Sequence, residues 1–474
     1  MVRAWGRFWD GSTRRWRFEG KDAGGVATPM LRRDRKATGI GTVAAGLTPS
    51  PTRLLFVNQY YWPDHASTAQ HLTDLAESLA GKGYECHVLC SRGGYRAGRP
   101  PLAAAEVRNG VHIHRVGATA FGRRSTIGRM ADYLSFYARA AVRGLVLPRF
   151  DAVATLTTPP IIGLVGTLLR RFKGSRHVYW SMDLHPDASL ALGRMSPRNP
   201  VVRALKWLSD AAYRGADRVV VLGPYMADRI AAKGVRADRL VTIPVWSRRD
   251  EIYPLPREGH PLRKSLGLDG KFVAMYSGNL GLAHAFDEFL EAARRFRDRD
   301  DVVFLFVGDG PRLAEVVEAK AREGLDNILL LDYFPREQLH ASLSVADVHL
   351  ISMRREMTGV VVPGKLYGAM ASGRPTVFVG PEHCESADTV RDAECGHAIR
   401  LGDVDGLVAA LERLAADPKL AATMGARARA SFLESHEKDT CCARWGWMIG
   451  GLLNARPAEV PAIARTRAAA PQGS

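Results

Sequence analysis

From Arg53 onward, short apolar runs of β character alternate with longer stretches of helical period, and the alternation runs through twice. In the first series Leu54-Leu55-Phe56-Val57 reads as a buried strand. Ser67 or Thr68 then caps a helix with apolar positions at Leu72, Leu75, Leu79 and Ala80 that ends at Gly83. Further strands are expected at 85–89, 111–116, 152–157, 177–182, 218–222 and 240–243, with helices between most of them. The stretch from Trp246 to Pro261 is polar and carries Pro254, Pro256 and Pro261, which marks a linker over 247–262. A second series starts at Phe272–Tyr276 and continues with strands at 302–307, 328–331, 348–351 and 376–379. Strands alternating with helices predict parallel sheets covered on both faces. At 474 residues the chain is too long for one core. The expected fold class is therefore α/β, with two doubly wound Rossmann-like domains (51–246 and 263–438) facing an interdomain cleft. The apolar segment within 439–455 is expected to cross back as a helix onto the first domain.

Charge narrows the partners. The net charge is +17, and residues 1–50 hold ten Lys/Arg against four Asp/Glu. That stretch shows no sustained period and reads as a basic, disordered extension; 456–474 reads as a disordered tail. Most of the remaining basicity lies between them, which suits an anionic membrane face or a phosphorylated substrate. No zinc-finger or RNA-recognition pattern points to nucleic acid. The apolar run from Val153 to Leu169 is broken by Thr157-Thr158-Pro159-Pro160 and does not read as a membrane span. A helix at 129–146 combines Met130, Tyr133, Leu134, Phe136 and Tyr137 with Arg129, Arg139 and Arg143, after Arg123 and Arg124. That mixture fits a monolayer-binding face. The six cysteines lack metal-ligand spacing, so no metal, no cofactor and a reducing cytoplasm are expected.

Loops at the carboxyl ends of strands carry the candidate chemistry. In the second domain these are Ser277-Gly278-Asn279-Leu280-Gly281, Gly308-Asp309-Gly310-Pro311 and Val362-Pro363-Gly364-Lys365-Leu366. Small residues let backbone N–H groups approach a phosphate, and Lys365 adds a full positive charge where a helix begins. Asp309 suits a ligand hydroxyl or a plain turn. In the first domain, Asn58 to Asp64 leaves the first strand just before Thr68, and Asp183 and His185 leave a later one, where they could orient a hydroxyl proton.

Together these segments resemble the retaining nucleotide-sugar glycosyltransferases of family four, with GT-B architecture and of the bacterial polysaccharide-biosynthesis type. The likeness runs over about 53–453 and rests on Phe56–Asp64 with Thr68-Ala69, Asp183-Leu184-His185-Pro186, Tyr276–Gly281, Val307–Pro311 and Pro363–Gly368. It implies a nucleoside diphosphate-sugar donor on Gly278, Asn279, Leu280, Gly308, Asp309, Gly310, Pro363, Gly364 and Leu366, with Thr68 across the cleft. It also implies a saccharide acceptor, polyprenyl-linked, on the first domain. Lys365 would stabilise the departing diphosphate without a metal, and Asp183 and His185 would position acceptor or sugar. Many members carry two glutamates in the last donor loop; here Val360 and Gly368 occupy those positions. Asn279 and His284 stand where an arginine and a lysine are usual. A nucleotide-sugar 2-epimerase and a silent membrane-associated scaffold are the alternative readings.

Overall fold

The computed structural model describes residues 6–10, 15–19, 50–93, 102–119, 121 and 126–454. Its strands are β1 (Gly6–Asp10), β2 (Arg15–Glu19), β3 (Arg53–Val57), β4 (Glu85–Ser91), β5 (Ala105–Arg108), β6 (Val111–Val116), β7 (Ala152–Thr155) and β8 (Arg176–Trp180). After these come β9 (Arg218–Val221), β10 (Leu240–Thr242), β11 (Phe272–Ser277), β12 (Val302–Val307), β13 (Ile328–Leu331), β14 (Val348–Ser352), β15 (Thr376–Gly380) and β16 (Gly396–Arg400). One sheet runs β10-β9-β8-β7-β3-β4-β6-β5 and the other β1-β2-β13-β12-β11-β14-β15-β16. Apart from the edge pairs β5–β6 and β1–β2 the pairing is parallel. Val/Ile/Leu/Phe-rich strands such as Val302–Val307 are buried along their whole length, as a sheet covered on both faces requires.

Each sheet has a point where chain order reverses, between β3 and β7 in the first and between β11 and β14 in the second. Ligands of open α/β sheets bind beyond the strand ends at such points. The two domains meet there. Helix Lys438–Leu453 lies on helix Ser67–Ala80 of the first domain, and its Trp445 ring sits 4.8 Å from Trp180. Trp246, where the chain passes between domains, stacks on Trp180 and donates from Nε1 to Asp74 at 3.0 Å. Glu385 of the second domain reaches into the first, where its Oε1 accepts from Met226 N at 3.0 Å.

Several expectations need correction. The 1–50 stretch, read as lacking regular structure, supplies the hairpin β1–β2, with Trp16 paired to Leu331 at the sheet edge. Its signal was the two aromatic-bearing runs, with Phe8 and Trp9 in one and Trp16 and Phe18 in the other. The rest of that stretch and the 456–474 tail lie outside the described residues. The cap of helix Ser67–Ala80 is Ala66, so Ser67 and Thr68 occupy its first turn. The linker is not wholly irregular at its end, because Pro261 opens helix Pro261–Leu266. Strands β5 and β16 and helix Glu385–Asp392 were not anticipated.

Candidate active site

The loops after β11 and β14 converge at the second domain's reversal point, and Lys365 joins them. Lys365 begins the short helix Lys365–Ala371, and its ammonium lies 4.2 Å from the centre of the Tyr276 ring. Nζ donates to Tyr276 Oη, to the Asn279 carbonyl at 3.2 Å and to His284 Nε2 at 3.1 Å. Burial pulls Lys365 down to about 7 and, helped by the Lys365 charge, pulls His284 to about 3. The helix has seven residues, so the positive charge at this position is that of the Lys365 side chain rather than of the helix terminus.

Gly278, Asn279 and Leu280 are brought against Gly308, Asp309 and Gly310. Leu280 N donates to Asp309 O at 2.9 Å, and Arg312 N to Leu280 O at 3.0 Å. The two loops lie backbone on backbone. A Cβ on Gly308 would stand 2.2 Å from Gly278 O, and one on Gly310 2.5 Å from Leu280 O; both have positive φ. These glycines are therefore demanded by loop-on-loop packing, besides any approach of a phosphate. Asp309 Oδ1 accepts from Gly310 N at 2.8 Å, which is turn chemistry. The Leu280 and Leu366 side chains are wholly buried, so only their backbones face a ligand. Pro363 is buried beside them, and Gly364 is exposed.

The first domain closes on this site through one backbone bond. Leu184 N, between Asp183 and His185, donates to Val360 O at 3.1 Å. Val360 itself is fully buried, and Gly368 lies inside the core, where its nearest neighbours are Leu343, Ile252 and Ser247. The two positions that carry glutamates in many relatives thus offer no ligand group here. Asp183 and His185 are half-buried; burial raises the Asp183 carboxyl and His185 partly offsets this. Ser209 Oγ fixes the His185 carbonyl at 2.7 Å. Thr68 is buried in the first turn of its helix, in the domain opposite Lys365.

Tyr276 and His284 are the residues that sequence reasoning left out of the site. Tyr276 opens the Tyr276–Gly281 segment, and His284 stands where a lysine is usual. The contacts that bring them to Lys365 join residues 89 and 81 positions apart.

Two family matches cover most of this architecture. Residues 68–246 match the glycosyl transferase 4-like domain, and 271–417 match glycosyl transferases group 1. The chain belongs to the family-four glycosyltransferases of GT-B fold. Among curated relatives of this glycosyltransferase, WbjE of Pseudomonas aeruginosa, named as a glycosyltransferase, is 29% identical over 52% of the chain and 62% of its own length. WcaI of Escherichia coli (strain K12), named as a colanic acid biosynthesis glycosyl transferase, is 25% identical over 70% of the chain and 84% of its own length. The chain thus spans less than two thirds of WbjE and most of WcaI. Among solved structures, Anabaena Alr3699/HepE in complex with UDP-glucose superimposes with TM-score 0.63 at 16% identity, over 85% of this chain and 99% of that one.

Proposed function

We propose that this glycosyltransferase moves a sugar from a nucleoside diphosphate-sugar to a polyprenyl-linked saccharide acceptor, with retention of anomeric configuration. The observation that carries the reading is Lys365, a cation held at the β11/β14 reversal point by uncharged partners. A diphosphate placed there meets a charge with no competing carboxylate among its hydrogen-bond partners. As the sugar–phosphate bond breaks, negative charge grows on the leaving diphosphate, and a preorganised ammonium stabilises it without a metal. The acceptor oxygen attacks from the same face, and its proton passes to the leaving phosphate oxygen, so no enzymic base is needed. Asp183 and His185, tied to the donor loop through Leu184, position acceptor or sugar. The complex of HepE with UDP-glucose supports a nucleotide-sugar donor for this architecture.

The acceptor's lipid places the work at a membrane, to which the chain binds peripherally from the cytoplasmic side. No described helix is long and apolar enough to cross one. Helix Thr126–Val146 instead shows an outward stripe of Met130, Leu134, Val142 and Val146, with Leu134 58%, Val142 62% and Val146 68% exposed. Arg129, Arg139 and Arg143 flank it, and Phe172 of the neighbouring helix lies 68% exposed beside Arg170 and Arg171. Two of the three aromatic residues expected on this face point elsewhere: Phe136 is in the core and Tyr137 donates to Pro160 O. Arg123 and Arg124 lie outside the described residues.

The test is a panel of nucleotide sugars with and without bacterial lipid extract. Nucleoside diphosphate release that depends on the extract is the expected result. Acceptor-free sugar isomerisation would instead identify an epimerase, and absence of both turnover and nucleotide binding a scaffold.

A further inference from the structure

Segment 183–187 follows β8 and meets the donor loop through Leu184, and its last residue is tied to a buried cation. Lys233, just beyond helix Pro224–Ala231, has a side chain only 5% exposed. Its ammonium donates to both Asp187 oxygens at 2.9 Å and to Asp210 Oδ1 at 3.1 Å, so all its protons are used. Asp210 Oδ2 in turn accepts from Lys206 at 2.9 Å, which sets two cations against two carboxylates. The Lys233 backbone is held as well: its N–H donates to Ile230 O at 3.0 Å, and its carbonyl accepts from Arg214 Nη1 at 3.1 Å. Such a cluster is a poor stabiliser, because desolvation of the charges offsets their attraction. A two-point hold on a carboxylate does supply a fixed position for it. Helix Pro224–Ala231 shows what that position is matched to. Met226 N is seated on Glu385 Oε1, and Arg229 Nε donates to Thr358 O at 2.6 Å, both in the second domain. Two residues after Thr358, Val360 O accepts from Leu184 N at 3.1 Å. Helix and segment thus reach the same loop of the second domain, and the Lys233–Asp187 pair joins their other ends.

We propose that Lys233 is a positioning residue for sugar transfer: its hold on Asp187 closes a ring of contacts that sets Asp183 and His185 against the donor loop. This rests on the reading of Asp183 and His185 as the groups that position acceptor or sugar. The ring runs from Lys233 along helix Pro224–Ala231 to Thr358, on to Val360, across to Leu184, and through Asp187 back to Lys233. Helix Pro200–Arg214 supports the same segment twice, through Ser209 Oγ on the His185 carbonyl at 2.7 Å and through Asp210 on Lys233. With the tie cut, Asp187 is free to turn to solvent, and the segment that carries Asp183 and His185 moves with it. Lys365 belongs to the second domain and keeps its own partners, so donor binding should be spared.

Asp187→Ala and Asp210→Ala make the test, since each leaves Lys233 one carboxylate and only Asp187 lies on the segment. Three readouts on the full chain separate position from stability. They are hydrogen–deuterium exchange of peptides spanning 183–188, the Kd of UDP-glucose and of GDP-mannose by calorimetry, and nucleoside diphosphate release from the same two probes with bacterial lipid extract. Asp187→Ala should speed exchange at Leu184, whose N–H makes the bridge to Val360. It should lower kcat roughly ten- to a hundredfold, as a displacement of about 1 Å does, and leave donor Kd within about twofold. Asp210→Ala should leave all three near wild type. Lys233→Gln should match Asp187→Ala in kcat, and adding it to Asp187→Ala should cost nothing further, because both cut one tie. Unchanged exchange in Asp187→Ala overturns the proposal and needs no substrate to be seen. Normal kcat in Asp187→Ala overturns it too, as does an equal loss in Asp210→Ala, which would make the cluster a general support. If Asp183→Asn and His185→Ala turn over normally, the reading beneath this one fails; if they are slow and Asp187→Ala is not, the role of Lys233 alone fails.

Discussion

Gly308→Ala adds one methyl group at the point where the loops 277–281 and 308–311 touch. Its carbon would stand 2.2 Å from the Gly278 carbonyl oxygen, 3.0 Å from the Gly278 carbonyl carbon and 3.3 Å from Tyr333 Cε1. Because the nearest atoms are backbone, no rotamer change relieves the overlap, and the loops must part by about 1 Å to reach ordinary contact. The residue also has φ 134°, where a Cβ is strained. Strain of about 1–3 kcal/mol and overpacking of about 1–3 kcal/mol together give roughly 2–6 kcal/mol. At about 2–4 °C per kcal/mol for a domain of this size, Tm should fall by roughly 5–20 °C. Gly278 also lies against Lys365 Cε, so shifting its loop misplaces the donor cage, and an error of about 1 Å can cost about a hundredfold in rate. Differential scanning calorimetry and a transfer assay on the same preparation read both effects. Gly364→Ala is the control for the melt alone, since its Cβ would meet only Val245 at 3.7 Å and its φ is ordinary. A Gly308→Ala protein that melts within a degree of wild type and transfers sugar normally would refute the loop-on-loop argument.

Lys365→Ala should fold normally, bind nucleoside diphosphate weakly and transfer sugar at least roughly a hundredfold more slowly, as loss of one preorganised electrostatic contact does; near-normal kinetics would mean another cation holds the diphosphate. Glu385, sunk into the first domain, has its carboxyl pushed by burial from 4.5 to about 7. A raised acid pKa means the folded chain binds more protons than the unfolded one, so this group's contribution to stability declines as pH rises from about 4.5 to 7. Glu385→Gln should flatten that decline in thermal melts taken across the window, and an unchanged pH profile would show that the carboxyl is not the source. Binding to vesicles rich in anionic lipid should fall with added salt and with Leu134→Asp plus Val142→Asp; salt-resistant retention by the double variant would place the contact on another face.

The fold was legible where pattern and burial coincide. Val302–Val307 is apolar at every position, and Phe272–Ser277 is buried at all but its last, because both sheet faces are covered. The missed strands are edges. β16 holds His397 and an exposed Arg400, and β5 alternates exposed and half-buried residues, so neither shows a buried-strand run. For β5 the turn Asn109-Gly110, with φ 47° and 80°, was the available signal. Helix Glu385–Asp392 is short and mostly polar, and its buried Glu385 is explained only by the opposing domain. In the site, glycine turns and Lys365 could be read locally. The cage of Tyr276 and His284 could not, because it exists only once β11 and β14 lie side by side. Nor could sequence tell that Gly308 and Gly310 are required by the packing of their loop against residues 277–281.

The central claim is that Lys365 marks the seat of the donor diphosphate, and a crystal structure of the chain grown with a nucleoside diphosphate examines it most directly. The account predicts phosphate oxygens within hydrogen-bond distance of Lys365 Nζ, against the backbone of 277–281 and beneath the Leu184–Val360 bridge. Density for the nucleotide on the first domain, or on the second domain away from Lys365, would contradict it.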